Sequence, residues 1–241
     1  MRISIIVPAF NEETVLIASL RSIRSAAGVF ARLGWEHELI VCDNNSSDGT
    51  ARIAREEGAT VVFEPINQIA RARNKGAEAA TGEWFVFIDA DSQPSKELFQ
   101  EMALHAQNPR CLGGGTTIRF DEQLGWAWFA LAGWNLLSRT FHWMAGSFIF
   151  CRAEVFRQMG GFNLELFASE EIDFSRRLKR LARRRRGKIV ILHRHPLLTS
   201  ARKLHLYSRG EYFNLVARTV LERGNNLKNR SNCQPWYDGR R

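Results

Sequence analysis

Four short apolar runs in the first 88 residues constrain this chain more than any other feature. Residues 3–7 (ISIIV), 38–42 (ELIVC), 60–63 (TVVF) and 84–88 (WFVFI) are too short for core helices and rich in β-branched or aromatic residues, so they read as buried strands. Stretches of helical spacing separate them. These are 12–32, with Val15, Leu16, Leu20 and Ile23 on one side, 50–57 behind the N-cap candidates Ser47 and Asp48, and 69–80. Strands alternating with helices imply an α/β fold with a mostly parallel, doubly wound sheet flanked by helices. Ligands of such sheets bind beyond the carboxyl ends of the strands.

All four strand ends deliver polar residues. Asn11 and Glu12 follow the first, Asp43 and Asn44 the second, Glu64 and Asn67 the third, Asp89 and Asp91 the fourth. One shared site at one sheet edge explains this better than four polar loops. The second half is less regular. Gly113-Gly114-Gly115 reads as a turn into a strand at 116–120, and 126–141 as an aromatic-rich helix. A strand at 147–151 and a helix at 153–159, stopped by Gly160-Gly161, follow. The chain then continues as a basic helix at 170–186 and a last strand at 188–192. No repeat or linker interrupts it, so a single domain is expected.

Phe87-Ile88-Asp89-Ala90-Asp91 carries the sharpest chemistry. Two carboxylates two residues apart, directly after a buried strand, offer the hard oxygens that suit Mg²⁺ or Mn²⁺. Such an ion bridges phosphates and neutralises a departing diphosphate. The bland alternative is a polar turn that caps the next helix, since Ser95 and Glu97 follow.

SIIVPAFNEE, VCDNNSSDGT and ARNKGAEAATGEWFVFIDADSQP, in that order and spacing, resemble the donor-binding half of the family 2 glycosyltransferases. GGFNLELFASEEIDFSRRLKR resembles the family's acceptor-side motif. The resemblance implies a GT-A fold, a nucleotide-diphosphate sugar as donor, a divalent cation and inversion at the anomeric carbon. It also implies residue roles. Pro8, Phe10 and Glu12 line the nucleoside pocket, and Asp43 hydrogen-bonds the base, typically uracil. The family usually has two Asp and a Gly there, where this chain has Asp43-Asn44-Asn45. Arg73 pairs with an acidic neighbour or a phosphate, Asp89 approaches ribose or metal, and Asp91 holds the metal. Gln93 matches an extra-ligand position of the polyprenyl-phosphate sugar synthases. Inversion needs a carboxylate that takes the acceptor's proton. The family motif Glu-Asp-x-Asp places that base at Glu171, with Glu170 as second candidate and Asp173 orienting the helix. Charge complementation of a helix N-terminus is the structural alternative. On this reading 1–115 is the donor half, 116–200 the acceptor and catalytic half, and 201–241 a basic C-terminal extension. His193 is a candidate third metal ligand just past the last strand, and 200–203 (Ser-Ala-Arg-Lys) a candidate diphosphate contact.

Charge and aromatics point to the acceptor. Residues 1–175 carry a net −7 and residues 176–241 a net +16, with nine basic residues among the thirteen of 176–188. Trp126, Trp128, Phe129, Trp134, Phe141 and Trp143 fall within eighteen residues. Aromatic and basic surfaces together favour a lipid or lipid-phosphate acceptor at an anionic membrane over nucleic acid. The longest apolar stretch, 124–137, is too short to span a bilayer. The N-terminus does not read as a signal peptide. Cys42, Cys111, Cys151 and Cys233 have neither zinc-cage nor disulfide spacing, so a cytoplasmic protein is expected, peripheral at the membrane's cytoplasmic face. Dinucleotide and P-loop glycine motifs are absent. A nucleotidyltransferase would open with a Gly-rich basic loop where this chain has PAFNEE. The remaining alternative is a non-catalytic, basic-surface binder of anionic membrane or nucleic acid.

Overall fold

The computed structural model describes residues 1–122, 125–202 and 225–233, excepting the side chains of 126, 127 and 225. The first four strands are β1 (Arg2–Ala9), β2 (Glu36–Asp43), β3 (Thr60–Phe63) and β4 (Trp84–Ile88), joined by helices α1 (Leu16–Arg32), α2 (Thr50–Glu56) and α3 (Ile69–Ala79). They lie in the order β3-β2-β1-β4, all parallel. Each helix carries the chain back to the same sheet end, as a parallel crossover requires.

The sheet continues through β7 (Phe148–Arg152), β6 (Cys111–Phe120), β8 (Lys188–Thr199) and the two-residue β5 (Ser92–Gln93). β7 runs antiparallel to β4 and β6, β6 and β8 are parallel, and β5 is antiparallel to β8. Eight strands therefore share one mixed sheet, and β6 crosses the 115/116 division between the two halves. Four further helices complete the layers: α4 (Lys96–Ala106), α5 (Gly125–Phe141), α6 (Ala153–Gln158) and α7 (Glu170–Arg185).

Strand alternation divides the core into two layers. Ile3, Ile5 and Val7 of β1, with Trp84, Val86 and Ile88 of β4, pack beneath α1 and α4. Ile6, Phe85 and Phe87 point to the other face, against residues of α3, α6 and α7. A period of two on strands buried from both sides produces this split, and it explains why these runs read as continuously apolar.

Two expectations need correction. Gly113-Gly114-Gly115 is not a turn but the middle of β6. A Cβ on Gly114 would stand 2.1 Å from the Val190 carbonyl oxygen and 2.9 Å from the Phe150 ring, so glycine is demanded by close approach to both neighbouring strands. Gly114→Ala should lower stability by about 1–3 kcal/mol through overpacking, read as a lower urea midpoint. The last strand also does not stop at residue 192. It runs to Thr199, pairing with β6 up to Leu192 and again from Leu197 after a register shift, with both leucines buried in the core. His193 and Arg194 are therefore exposed strand residues, not strand-end ones.

The C-terminal extension is seen only at 225–233 among the residues beyond 202. There Leu227 and Cys233 pack against Ala168, and the Phe167 amide donates to the Leu227 carbonyl at 2.8 Å.

Candidate active site

The loops beyond the strand ends are tied to one another. The Asn11 amide donates to Ser46 Oγ (3.0 Å), Asn11 Oδ1 accepts from the Ser47 amide (2.8 Å), and the Glu12 amide donates to Thr50 Oγ1 (2.8 Å). Asn11 is left-handed at φ 52°, a conformation Asn tolerates well. Asn44 links the next pair of loops. Its Nδ2 donates to the Glu64 and Ile66 carbonyls, and its Oδ1 accepts from the Gln68 amide. Polar residues at strand ends thus first build the rim, each satisfying backbone groups a buried loop would otherwise leave unpaired.

Inside the rim lies a cavity of about 570 Å³. Glu12, Asn44, Asn67, Asp89 and Asp91 bring all four strand ends to its wall. Of the residues singled out by sequence, Pro8, Phe10, Glu12, Arg73, Asp89, Asp91, Glu170 and Glu171 all line it. Asp43 does not. It is buried behind Asn44, and its Oδ1 accepts from the Ser46 amide at 3.1 Å. Gln93 is exposed on β5, and His193 and Asp173 lie off the wall. Asp173 pairs with Arg177 one turn along α7 (2.6 Å). Ser95 does cap α4, accepting from the Leu98 amide at 3.1 Å, so the helix-capping reading and a cavity-facing Asp89-Ala90-Asp91 hold together. Ser200 lines the cavity, while Arg202 turns to Glu12 Oε2 (2.5 Å) and Thr14 Oγ1 (3.1 Å). Lys203 lies outside the described residues.

Arg73 organises the site. Its guanidinium is 1% exposed. Nη1 donates to Glu170 Oε1 at 2.5 Å, and Nη2 donates to Asp89 Oδ1 and to the Gly146 carbonyl, both at 2.9 Å. The Phe162 ring lies 5.3 Å from the guanidinium carbon. Asn74, the next residue on α3, brackets the Phe162 backbone with both amide groups, at 2.8 and 2.9 Å. The ARN run of α3 thus fixes both the strand-β4 carboxylate and the loop leading to α7. Of the expected partners for Arg73, the structure supplies the acidic ones. Gly146, Phe162 and Asn74 carry no sequence signal of these roles, because a carbonyl acceptor, a stacked ring and a loop clamp leave no pattern in spacing.

The two glutamates of α7 differ. Glu170 is buried and bonded to Arg73, whereas the half-buried Glu171 carboxyl has no side-chain hydrogen-bond partner among the described residues. Burial and the adjacent Glu170 charge push the Glu171 carboxyl up to about 8, with Arg73 opposing. Burial likewise raises Glu170, again against Arg73. Of the five carboxylates on the wall, Glu12 pairs with Arg202, and the other four (Asp89, Asp91, Glu170, Glu171) face one buried cation, Arg73, so the site favours either a proton or added positive charge. No group of three or more His, Cys, Asp or Glu able to hold a metal occurs among the described residues. Asp89 and Asp91 fit a cation that takes one or two carboxylates and draws its other ligands from phosphates and water.

A parallel β3-β2-β1-β4 unit, a mixed second half and an acidic cavity at the strand ends together define the GT-A architecture. Solved structures agree. A mannosyltransferase from Pyrobaculum calidifontis, in complex with GDP-Man and Mn²⁺, superposes with a TM-score of 0.68 at 18% identity, covering 94% of this chain and 62% of that one. Glucosyl-3-phosphoglycerate synthase from Mycobacterium tuberculosis, with Mn²⁺, UDP and phosphoglyceric acid, gives 0.62 at 20%, covering 92% and 78%. The model of glycosyl transferase family 2 matches residues 4–160, and the chain belongs to that family.

Among curated relatives, an uncharacterized glycosyltransferase of Mycobacterium tuberculosis is 30% identical over 142 residues, covering 57% of this chain and 60% of the relative. An undecaprenyl-phosphate 4-deoxy-4-formamido-L-arabinose transferase of Klebsiella pneumoniae is 33% identical over 134 residues, covering 51% and 38%. The chain thus matches less than two thirds of the length of these relatives.

Proposed function

We propose that the protein transfers a sugar from a nucleotide-diphosphate sugar, a UDP-sugar, to an acceptor hydroxyl, with inversion and assisted by Mg²⁺ or Mn²⁺. One observation carries this reading. The Asp89/Asp91 pair and a carboxyl of raised proton affinity, Glu171, line the same cavity, with Arg73 holding Asp89 and Glu170 between them.

The geometry supports these roles. Pro8, Phe10 and Glu12 enclose the nucleoside. Asp43 stands off the cavity wall with its Oδ1 held by the Ser46 amide, so it would reach the base only through Oδ2. Asp89 and Asp91 would hold the cation, which supplies charge neutralisation of the diphosphate leaving group. The acceptor oxygen attacks the anomeric carbon from the side opposite the diphosphate. The bond from that carbon to the diphosphate oxygen breaks, its electron pair leaves with the diphosphate, and the acceptor's proton passes to Glu171. Glu170 stays on Arg73 and positions its neighbour. The metal ions and nucleotides in the names of related proteins support the donor side of this assignment. Four buried, unpaired cysteines fit a reducing cytoplasm.

A phosphate acceptor is the second reading. The cavity's other wall, Ile118, Leu131 and Trp134, is apolar enough for a lipid, and the undecaprenyl-phosphate relatives point the same way. A phosphate brings no proton that must be removed, so turnover on it would not depend on Glu171.

Calorimetry of UDP with Mn²⁺ and with chelator tests the donor site. Binding should require the metal, and Asp91→Ala should remove the metal-dependent part. UDP and GDP both silent with and without Mn²⁺ would leave the basic-surface binder as the better reading.

A further inference from the structure

The outer face of α5 is an open apolar surface. Trp128, Phe129 and Leu136 are 61, 73 and 65% exposed, and Arg139 is the one charged residue of the helix. Soluble monomers rarely expose such a face without using it. Another side of the helix is committed to the site. Leu131 and Trp134 line the cavity, and Asn135 clamps the Ile118 amide and carbonyl of β6 (3.1 and 2.9 Å). The side chain of Trp126 lies outside the described ones.

A basic face adjoins this apolar one. Arg176, Lys179, Arg180 and Arg183 recur at helical spacing on α7. Lys179 Nζ donates to the Phe141 carbonyl at the end of α5 (3.2 Å), and the Arg176 guanidinium lies 5.6 Å from the Trp143 ring centre. None of the four makes a salt bridge among the described residues, although Arg177 and Arg185, facing elsewhere, do. A basic stripe without counter-ions beside an aromatic face whose one charge is the cationic Arg139 is complementary to phosphates above acyl chains. No helix among the described residues is long and apolar enough to cross a membrane.

We propose that the outer face of α5 and the basic face of α7 form one docking surface for an anionic lipid bilayer, holding the cavity's apolar wall at the membrane. Its use in meeting a membrane-borne acceptor rests on the function proposed above, whereas the binding itself does not.

Flotation with vesicles of phosphatidylcholine, alone or mixed with phosphatidylglycerol, tests it on the whole chain. The protein should float with the mixed vesicles, far less with neutral ones, and less as salt rises. Phe129→Ser with Leu136→Ser, and separately Arg180→Glu with Arg183→Glu, should each weaken partitioning roughly tenfold or more. Mn²⁺-dependent UDP binding should stay intact in both, which shows that the fold survives and separates this test from that of the donor site. Loss of vesicle binding in the charge variant alone would reduce the surface to electrostatic adsorption and overturn the docking role of α5. A wild-type dimer that becomes monomeric in the Phe129/Leu136 variant would show that a second copy covers the face, and would overturn the proposal as well. So would a protein that binds UDP and never floats.

Discussion

Glu171→Gln should lower turnover by about 10²–10⁴-fold, the usual contribution of a positioned general base, while leaving the affinity for UDP and Mn²⁺ nearly unchanged. Release of UDP from a UDP-sugar reads this without knowledge of the natural acceptor, since water also gives up a proton. The pH profile should carry the same signature. The base works deprotonated, so kcat/KM should climb about tenfold per pH unit and level off near the value of about 8 to which burial and Glu170 push the Glu171 carboxyl. A flat profile through that region, or turnover unchanged in the variant, would take Glu171 out of the reaction and favour a phosphate acceptor.

Stability should respond to the same group in the opposite sense. The folded value of about 8 lies above the ordinary 4.5, so the folded protein holds a proton that the unfolded chain has released. Wild-type stability should therefore fall as pH rises from about 4.5 to about 8, and Glu171→Gln should remove that fall. Thermal unfolding of the two proteins across this window checks it, with the variant the more stable at the alkaline end.

Arg73→Met should be the most damaging single change to the fold around the site. It strands the buried Glu170 carboxylate and removes a partner from Asp89. Breaking a buried pair from one side typically costs about 3–5 kcal/mol. At about 2–4 °C per kcal/mol for a chain of this size, that is a fall in Tm of roughly 6–20 °C. Arg73→Lys should recover little, because an ammonium cannot reproduce a planar fork that serves Glu170, Asp89 and the Gly146 carbonyl together. Adding Glu170→Gln to Arg73→Met should restore part of the loss, since it neutralises the stranded charge. A double variant no better than the single one would show that the network's worth lies with Asp89.

Much of the donor half was legible because its signals are local. ISIIV and WFVFI announce two-sided burial by composition, the first ended by Pro8 and the second by Asp89. Alternation along β1 and β4 then dictates which side chain faces which layer. The second half was harder to read. Three consecutive glycines carry the same local signal in a turn as in a strand squeezed between two neighbours, and the close approach to Val190 and Phe150 belongs to strands remote in sequence. The last strand was cut short at Leu192 because the charges of 193–195 broke the apolar run. Its pairing with β6, not its own composition, extends it to Thr199.

The sequence by itself determined the alternating α/β frame and the edge at which chemistry gathers, because strand periodicity and strand-end polarity are properties of neighbours in the chain, and the resemblance of its motifs to a family named eight residues that reach one cavity. Only the tertiary structure decided what those residues do to one another. It placed Arg73 between Asp89 and Glu170, left the Glu171 carboxyl without a side-chain partner among the described residues, kept Asp43 off the wall, and turned part of an apolar helix outward beside a basic one. The reason is physical. Ion pairing, desolvation and exposure depend on distances between segments up to 190 residues apart, and no local pattern encodes those distances.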